Sequence, residues 1–139
     1  MRFRVTSISD EGLGTKLSEA LCALEDWLNS SLGDREFGGS LSHLMIVLFA
    51  TASLPREPAV SRTSSFVNPA TGLRESMLAL HVSADPIVVM ETPREALVGT
   101  VSNLLIEQLP SKPLRVPKGL EYSRLRSAIV ASVRAHALQ

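Results

Sequence analysis

Phe3, Val5 and Ser7 alternate with Arg2, Arg4 and Thr6, the two-residue period of a strand with one buried face. Gly12 and Gly14 then open a turn. Beyond it Leu17, Ala20, Leu21, Leu24, Trp27, Leu28 and Leu32 recur every three or four residues, the stripe of an amphipathic helix. Gly33 stands where a C-terminal cap belongs, and Asp34 to Ser42 reads as a loop. The run Leu44-Met45-Ile46-Val47-Leu48-Phe49 is continuously apolar and too short for a typical helix, which predicts a central strand covered on both faces. Pro55 and Pro58 break the chain, since neither can donate to a sheet ladder.

Val60 to Val67 and Leu73 to Val82 flank Asn68-Pro69-Ala70-Thr71-Gly72, the composition of a hairpin loop. On the second arm Arg74, Ser76, Leu78, Leu80 and Val82 alternate with Glu75, Met77, Ala79 and His81, and Ile87 to Met90 is a candidate short extension of the sheet. Thr92-Pro93-Arg94-Glu95 combines a Thr N-cap, a Pro at the first helical position and a Glu that completes a capping box. It predicts a helix carried by Leu97, Val101, Leu104, Leu105 and Leu109 as far as Pro110. After a proline-rich loop to Gly119, Tyr122, Leu125, Ala128, Ile129 and Val133 mark a final helix. The order β-α-β-β-β-α-α predicts an α+β fold in a single domain, residues 1–139, with about three helices on a largely antiparallel sheet.

A chain of 139 residues with 45% hydrophobic and 20% charged residues can bury roughly 70% of its unfolded surface and needs no staples to fold. The one cysteine, Cys22, can form no internal disulfide, and the N-terminus shows charges where a signal peptide would have its apolar core. Leu44 to Ala50 is too short to cross a bilayer as a helix. A cytoplasmic protein with no membrane contact is expected. Zero formal net charge argues against general electrostatic binding to nucleic acid. The charges are nonetheless segregated. Asp10 to Glu36 holds seven acidic residues against Lys16 and Arg35, whereas Lys112 to Arg134 holds six basic residues against Glu121.

Candidate chemistry is sparse. His43 beside Ser40 or Ser42, and His81 with Asp85 and Glu91, are the conceivable base and nucleophile or base and acid sets for a small hydrolase. No Gly-x-Ser-x-Gly elbow accompanies them. His81 falls on the more polar side of its strand and Asp85-Pro86 is turn chemistry, so structural roles are preferred and no catalytic residue is assigned. His136 lies in the last turn of a helix, where a cation suits the dipole. The histidines have no metal-site spacing, and Gly12-Leu13-Gly14 lacks the rest of a nucleotide-binding motif. Neither a metal nor a cofactor is expected. Cys22 reads as a small inert hydrophobe. Arg124, Arg126 and Arg134 on the last helix form a nucleic-acid candidate with only Tyr122 as a nearby aromatic, so a solvated face is preferred.

The succession of MRFRV, an acidic helix ending in LNSSLGDREFG, the strand SHLMIVLF, a hairpin around SRTSSF and a helix near LEYSRLRSAI resembles the small immunity proteins of bacterial polymorphic toxin and contact-dependent growth inhibition systems. The resemblance implies a cytosolic, non-catalytic inhibitor that binds the C-terminal toxin domain of a cognate partner, often a nuclease. Nuclease domains are commonly basic. Charge placement therefore nominates Glu19, Glu25, Asp26, Asp34 and Glu36 as toxin-facing residues.

Overall fold

The computed structural model describes residues 1–10, 12–39, 41–51, 61–110 and 116–137. Ser40, Pro55, Pro58, Val60 and Lys112 of the expectations above lie outside these. Strand β1 (Arg2–Ser9) leads through Gly12, at φ +89°, into helix α1 (Leu13–Leu32). Then come β2 (Leu41–Ala50), β3 (Ser61–Val67), β4 (Arg74–Ser83), a short α2 (Pro86–Glu91), a 3-10 turn (Arg94–Ala96), α3 (Leu97–Gln108) and α4 (Tyr122–Ala137). The result is one domain with a four-stranded mixed sheet and its helices, in keeping with the expected class.

Sheet direction departs from expectation. The strand order is β1-β2-β4-β3; β1 and β2 run parallel, β2 and β4 run parallel, and only β3 is antiparallel to β4. The sheet is therefore largely parallel, not largely antiparallel. The cause is connectivity. The 20-residue helix α1 is long enough to return the chain to the start of a neighbouring strand, as a parallel pairing requires. Between β2 and β4 the chain reverses twice, because β3 intervenes at the edge. The hairpin forms where expected: Asn68 O accepts from Gly72 N (2.7 Å), Asn68 Oδ1 accepts from Ala70 N (2.9 Å), and Gly72 takes φ +70°.

Two local expectations are also corrected. Ile87 to Met90 does not extend the sheet but forms α2, because Asp85 Oδ1 accepts from Ile87 N (2.9 Å) and Pro86 occupies the first helical position, a start signal stronger than strand propensity over so few residues. Thr92 in turn does not cap α3. Its hydroxyl donates back to Val88 O (2.6 Å) as the end of α2, and the chain re-enters helix through the 3-10 turn without a side-chain cap.

One face of the sheet carries Phe3, Val5, Leu44, Ile46, Leu48, Leu78, Leu80 and Val82, all buried in a common core with Leu17, Leu24, Leu28, Leu105, Leu125, Ile129 and Val133 of α1, α3 and α4. The predicted stripe of α1 is buried throughout except for Trp27, which is half-buried and donates from Nε1 to Ser132 O of α4 (2.8 Å). Ser31 and Ser132 hydroxyls meet at 2.6 Å beside it. Gly33 does cap α1, but in right-handed geometry (φ −59°).

Helix α1 also pairs the first part of the outer edge of β1. Asn29 accepts from Phe3 N (2.8 Å) and donates to Phe3 O (2.9 Å), and Glu25 Oε1 accepts from Val5 N (2.9 Å). These are the backbone groups that an edge strand otherwise leaves unpaired. A second tight junction joins the loop after α1 to the entry of α4. Glu121 N donates to Phe37 O (2.7 Å), and Gly38, Gly39 and Gly119 all have positive φ. A Cβ on Gly39 would lie 2.7 Å from Lys118 O, so only glycine allows the two backbones to meet there. Phe37 is buried beneath the guanidinium groups of Arg35 and Arg124, 5.2 and 5.4 Å from its ring centre.

Candidate partner-binding surface

The predicted acidic site does not come together as one group. Glu19 and Asp26 stand seven residues apart on the exposed ridge of α1, opposite its buried stripe. Glu25 is turned a third of a turn away and half-buried, its carboxylate holding Val5 N of β1. Asp34 and Glu36 are exposed in the loop beyond α1. The basic helix α4 packs beside α1, yet the one ion pair among the described residues is Arg124 with Glu121 (2.6 Å), within the α4 entry itself. Trp27 and the two serines, not charges, join these helices. Arg124 and Arg134 are exposed and Arg126 is half-buried, donating to Leu109 O (3.2 Å).

The histidines are likewise dispersed. His43 Nδ1 lies 2.9 Å from Ser42 Oγ, and its ring meets Phe66 at 5.6 Å. No carboxylate orients it among the described residues, so the geometry of an activated serine is incomplete. His81 packs edge-on against Phe49 at 5.0 Å. Register places it four residues from the His43 row, a distance of about 13 Å at the ordinary strand rise. Asp85, expected as a possible partner of His81, spends Oδ1 on the start of α2. His136 packs against Trp27 with its ring tilted by 42° (4.9 Å between centres) and a buried Nδ1. Cys22 is exposed on the outer ridge of α1. Among the described residues no three His, Cys, Asp or Glu side chains converge as a metal requires, and no helix is long and apolar enough to cross a membrane.

Two concavities, among others, adjoin β2 and β4. One of about 630 Å³ sits at the carboxyl ends of β2 and β4, between Thr51, Ser83, Asp85, Ile87 and Gln108. Ligands favour that end of a parallel sheet, but Gln108 is consumed by Ser83, accepting from its N (2.8 Å) and donating to its O (2.7 Å). The other, of about 500 Å³, lies on the sheet face turned away from the helices and is lined by Ile8, Met45, Val47, Phe49, Met77, Ala79 and His81.

No family model, curated protein or solved structure matches this chain. Function must come from the surface itself.

The open sheet face is the feature that sequence reasoning missed. The apolar run of β2 was expected to be covered on both sides. Its even positions are covered, whereas Met45 and Phe49 are half-exposed and no described helix lies over them. Val47 and Ala79, between these residues, are buried, each 6% exposed. Ile8 is 52% exposed and Phe66 37% exposed on the flanking strands. Arg2 and Arg4 border the patch on β1 and Glu75 on β4. Parallel strands are ordinarily covered on both faces, and a contiguous apolar patch with a polar rim marks an interaction surface more often than solvent-facing structure. The signal was present in the sequence as apolar residues at both parities of β2 and at Met77 and Ala79 of β4.

Proposed function

We propose that this chain is a protein-binding domain that seats a partner polypeptide on the open face of its sheet, and that it serves as an immunity protein neutralising a cognate toxin domain. The observation that carries the binding reading is the apolar sheet face turned away from the described helices, where Met45 and Phe49 are half-exposed on either side of Val47. Methionines and aromatics of this kind supply most of the affinity at the centre of an interface, with charged groups at the rim. Arg2, Arg4 and Glu75 are placed as such a rim. The inhibitor role draws its support from the layout resemblance, in which β1, the acidic α1, the apolar β2 and the closing α4 succeed one another as in the immunity families.

In this reading Glu19 and Asp26 lie on the helix side, away from the partner, and Glu25 is structural. Only Asp34 and Glu36 of the acidic set, with Glu19 and Asp26 as long-range charges, remain available for electrostatic guidance.

The experiment is co-expression with the C-terminal domain of the product encoded immediately upstream, scored by co-purification and rescue of growth. Phe49→Arg or Met45→Arg is expected to weaken the complex at least ~100-fold, the range of an interface hot spot. Glu19→Lys with Asp26→Lys is expected to leave it within a few-fold. The opposite pattern would move the interface to α1, and absence of any complex would defeat the immunity reading.

A further inference from the structure

The sheet face turned away from the helices changes character along its strands. Register sets Arg2 beside His43 and Arg4 beside Met45, then Thr6 beside Val47 and Ile8 beside Phe49. Cross-strand partners share a face, so one end of this face is cationic and the other apolar. The cationic end lies where β1 and β2 begin, at the far end of β2 from Ala50 and on the opposite edge of the sheet from β3. Arg2 and Arg4 are both exposed, and among the described residues neither is in an ion pair. Glu75, the acidic residue of the face, is two strands away and turned to Asn68 Nδ2, 3.4 Å from each of its oxygens. Beyond Arg4 the surface becomes the trough of about 500 Å³ lined by Met45, Val47, Phe49 and Met77, with Ile8, 52% exposed, on its β1 side.

We infer that the polypeptide seated on this face is an amphipathic helix whose apolar stripe lies over Met45, Val47 and Phe49 and whose β1-side flank carries two carboxylates that pair with Arg2 and Arg4. This rests on the partner reading above and adds the form and the charge of the partner segment. The form follows from the sheet: β1, β2 and β4 run parallel, and parallel strands take helices on both faces. The length follows from β1, since Arg2 to Ile8 spans about 20 Å, the rise of about 13 helical residues. The charge follows from the two arginines. They stand about 6.6 Å apart along the strand, and acidic residues at i and i+4 of a helix are separated by a rise of about 6 Å. Each carboxylate can therefore meet one guanidinium, whose planar fork suits it. The other side of the molecule, where Glu19 and Asp26 are exposed on α1, repels the same helix, so the two sides sort partners by sign. That sign is the reverse of the basic partner that the acidic α1 suggested.

The test uses two synthetic helical peptides of about 14 residues with the same leucine stripe, one carrying glutamates and the other lysines on the flank. Each is titrated to ~1 mM against the full chain with isotope-labelled methionine methyls, read by NMR. Met45 and Met77 lie on the face, whereas Met90 is 64% exposed on α2. The glutamate peptide is expected to shift Met45 and Met77 but not Met90, and to bind at least ~10-fold more tightly than the lysine peptide at low salt. Arg2→Glu with Arg4→Glu, both at exposed positions, is expected to invert that order with an unchanged circular dichroism spectrum. Equal or tighter binding of the lysine peptide at Met45 and Met77, or a preference untouched by the double variant, would overturn the assigned charge while leaving the face a polypeptide seat. No shift of Met45 or Met77 by either peptide would overturn the seat itself and this inference with it. An oligothymidylate that shifts the same methyls at lower concentration than the glutamate peptide would overturn it in favour of a nucleic acid.

Discussion

Replacing Asn29 by Ala tests whether α1 closes the β1 edge by hydrogen bonding or merely lies over it. Asn29 makes two bonds to one residue, accepting from Phe3 N at 2.8 Å and donating to Phe3 O at 2.9 Å. Losing both removes about 2 kcal/mol, taking ~1 kcal/mol for each bond at a half-buried site that water reaches only in part. Alanine restores roughly 0.5 kcal/mol through its better helix propensity. The net loss is about 1.5 kcal/mol, or ~5 °C in Tm for a domain of this size. Urea or thermal denaturation followed by circular dichroism measures the loss, and amide exchange at Phe3 locates it. Asn29→Asp, which keeps the acceptor but sets a carboxylate against Phe3 O, is expected to be no better than Ala. Glu25→Gln retains the acceptor for Val5 N and should stay within ~0.5 kcal/mol of the parent, whereas Glu25→Ala should lose about 1 kcal/mol. A neutral Asn29→Ala with undiminished Phe3 protection would refute the edge-closing role.

Three further outcomes follow from the packing. Trp27→Phe keeps the ring between α1 and α4 but leaves Ser132 O without its donor at 2.8 Å; a loss of about 1–2 kcal/mol in urea denaturation is expected. Gly39→Ala puts a Cβ 2.7 Å from Lys118 O at φ +68° and should cost about 2–3 kcal/mol, seen as a lowered Tm, by forcing apart the loop that seats Phe37. Tyr122 is buried against Pro110 O, and burial, partly offset by Arg126, pushes its hydroxyl up to about 12 from 10.0. A raised folded-state pKa means that the unfolded chain ionises first, so this contribution is intact below pH 10 and is lost as pH rises from about 10 to about 12. Tyr122→Phe should flatten the decline in stability over that window, as followed by urea midpoints at fixed pH values.

Much of the fold was legible because secondary structure is written in short-range periods. The alternation of Phe3 and Val5 with Arg2 and Arg4 fixed one face of β1, and the spacing from Leu17 to Leu32 fixed the buried side of α1. Asn68 to Gly72 fixed the hairpin, since its turn is made by the backbone and side chain of Asn68 and by the freedom of Gly72. The start of α2 was also written locally, in Asp85-Pro86, but the same residues equally serve a turn. Thr92 could serve either helix beside it, and Val88 O decided between them.

The remainder was settled by tertiary structure. Periodicity says which residues share a face, not which strand lies alongside, and so the parallel pairing of β1, β2 and β4 could not be read from their patterns. Glu25 looked like surface charge because its partner, Val5 N, lies 20 residues away and becomes a partner only when α1 docks on β1. The candidate site depended most on assembly. Apolar residues at both parities of β2 state that both faces need cover, and the helices of this chain supply it to the face bearing Leu44, Ile46 and Leu48. The sequence alone determined that surplus of apolar surface; the packing of α1, α3 and α4 onto one side decided that it would face outward at Met45 and Phe49, because helices meeting on one face bury one another's stripes as well as the sheet.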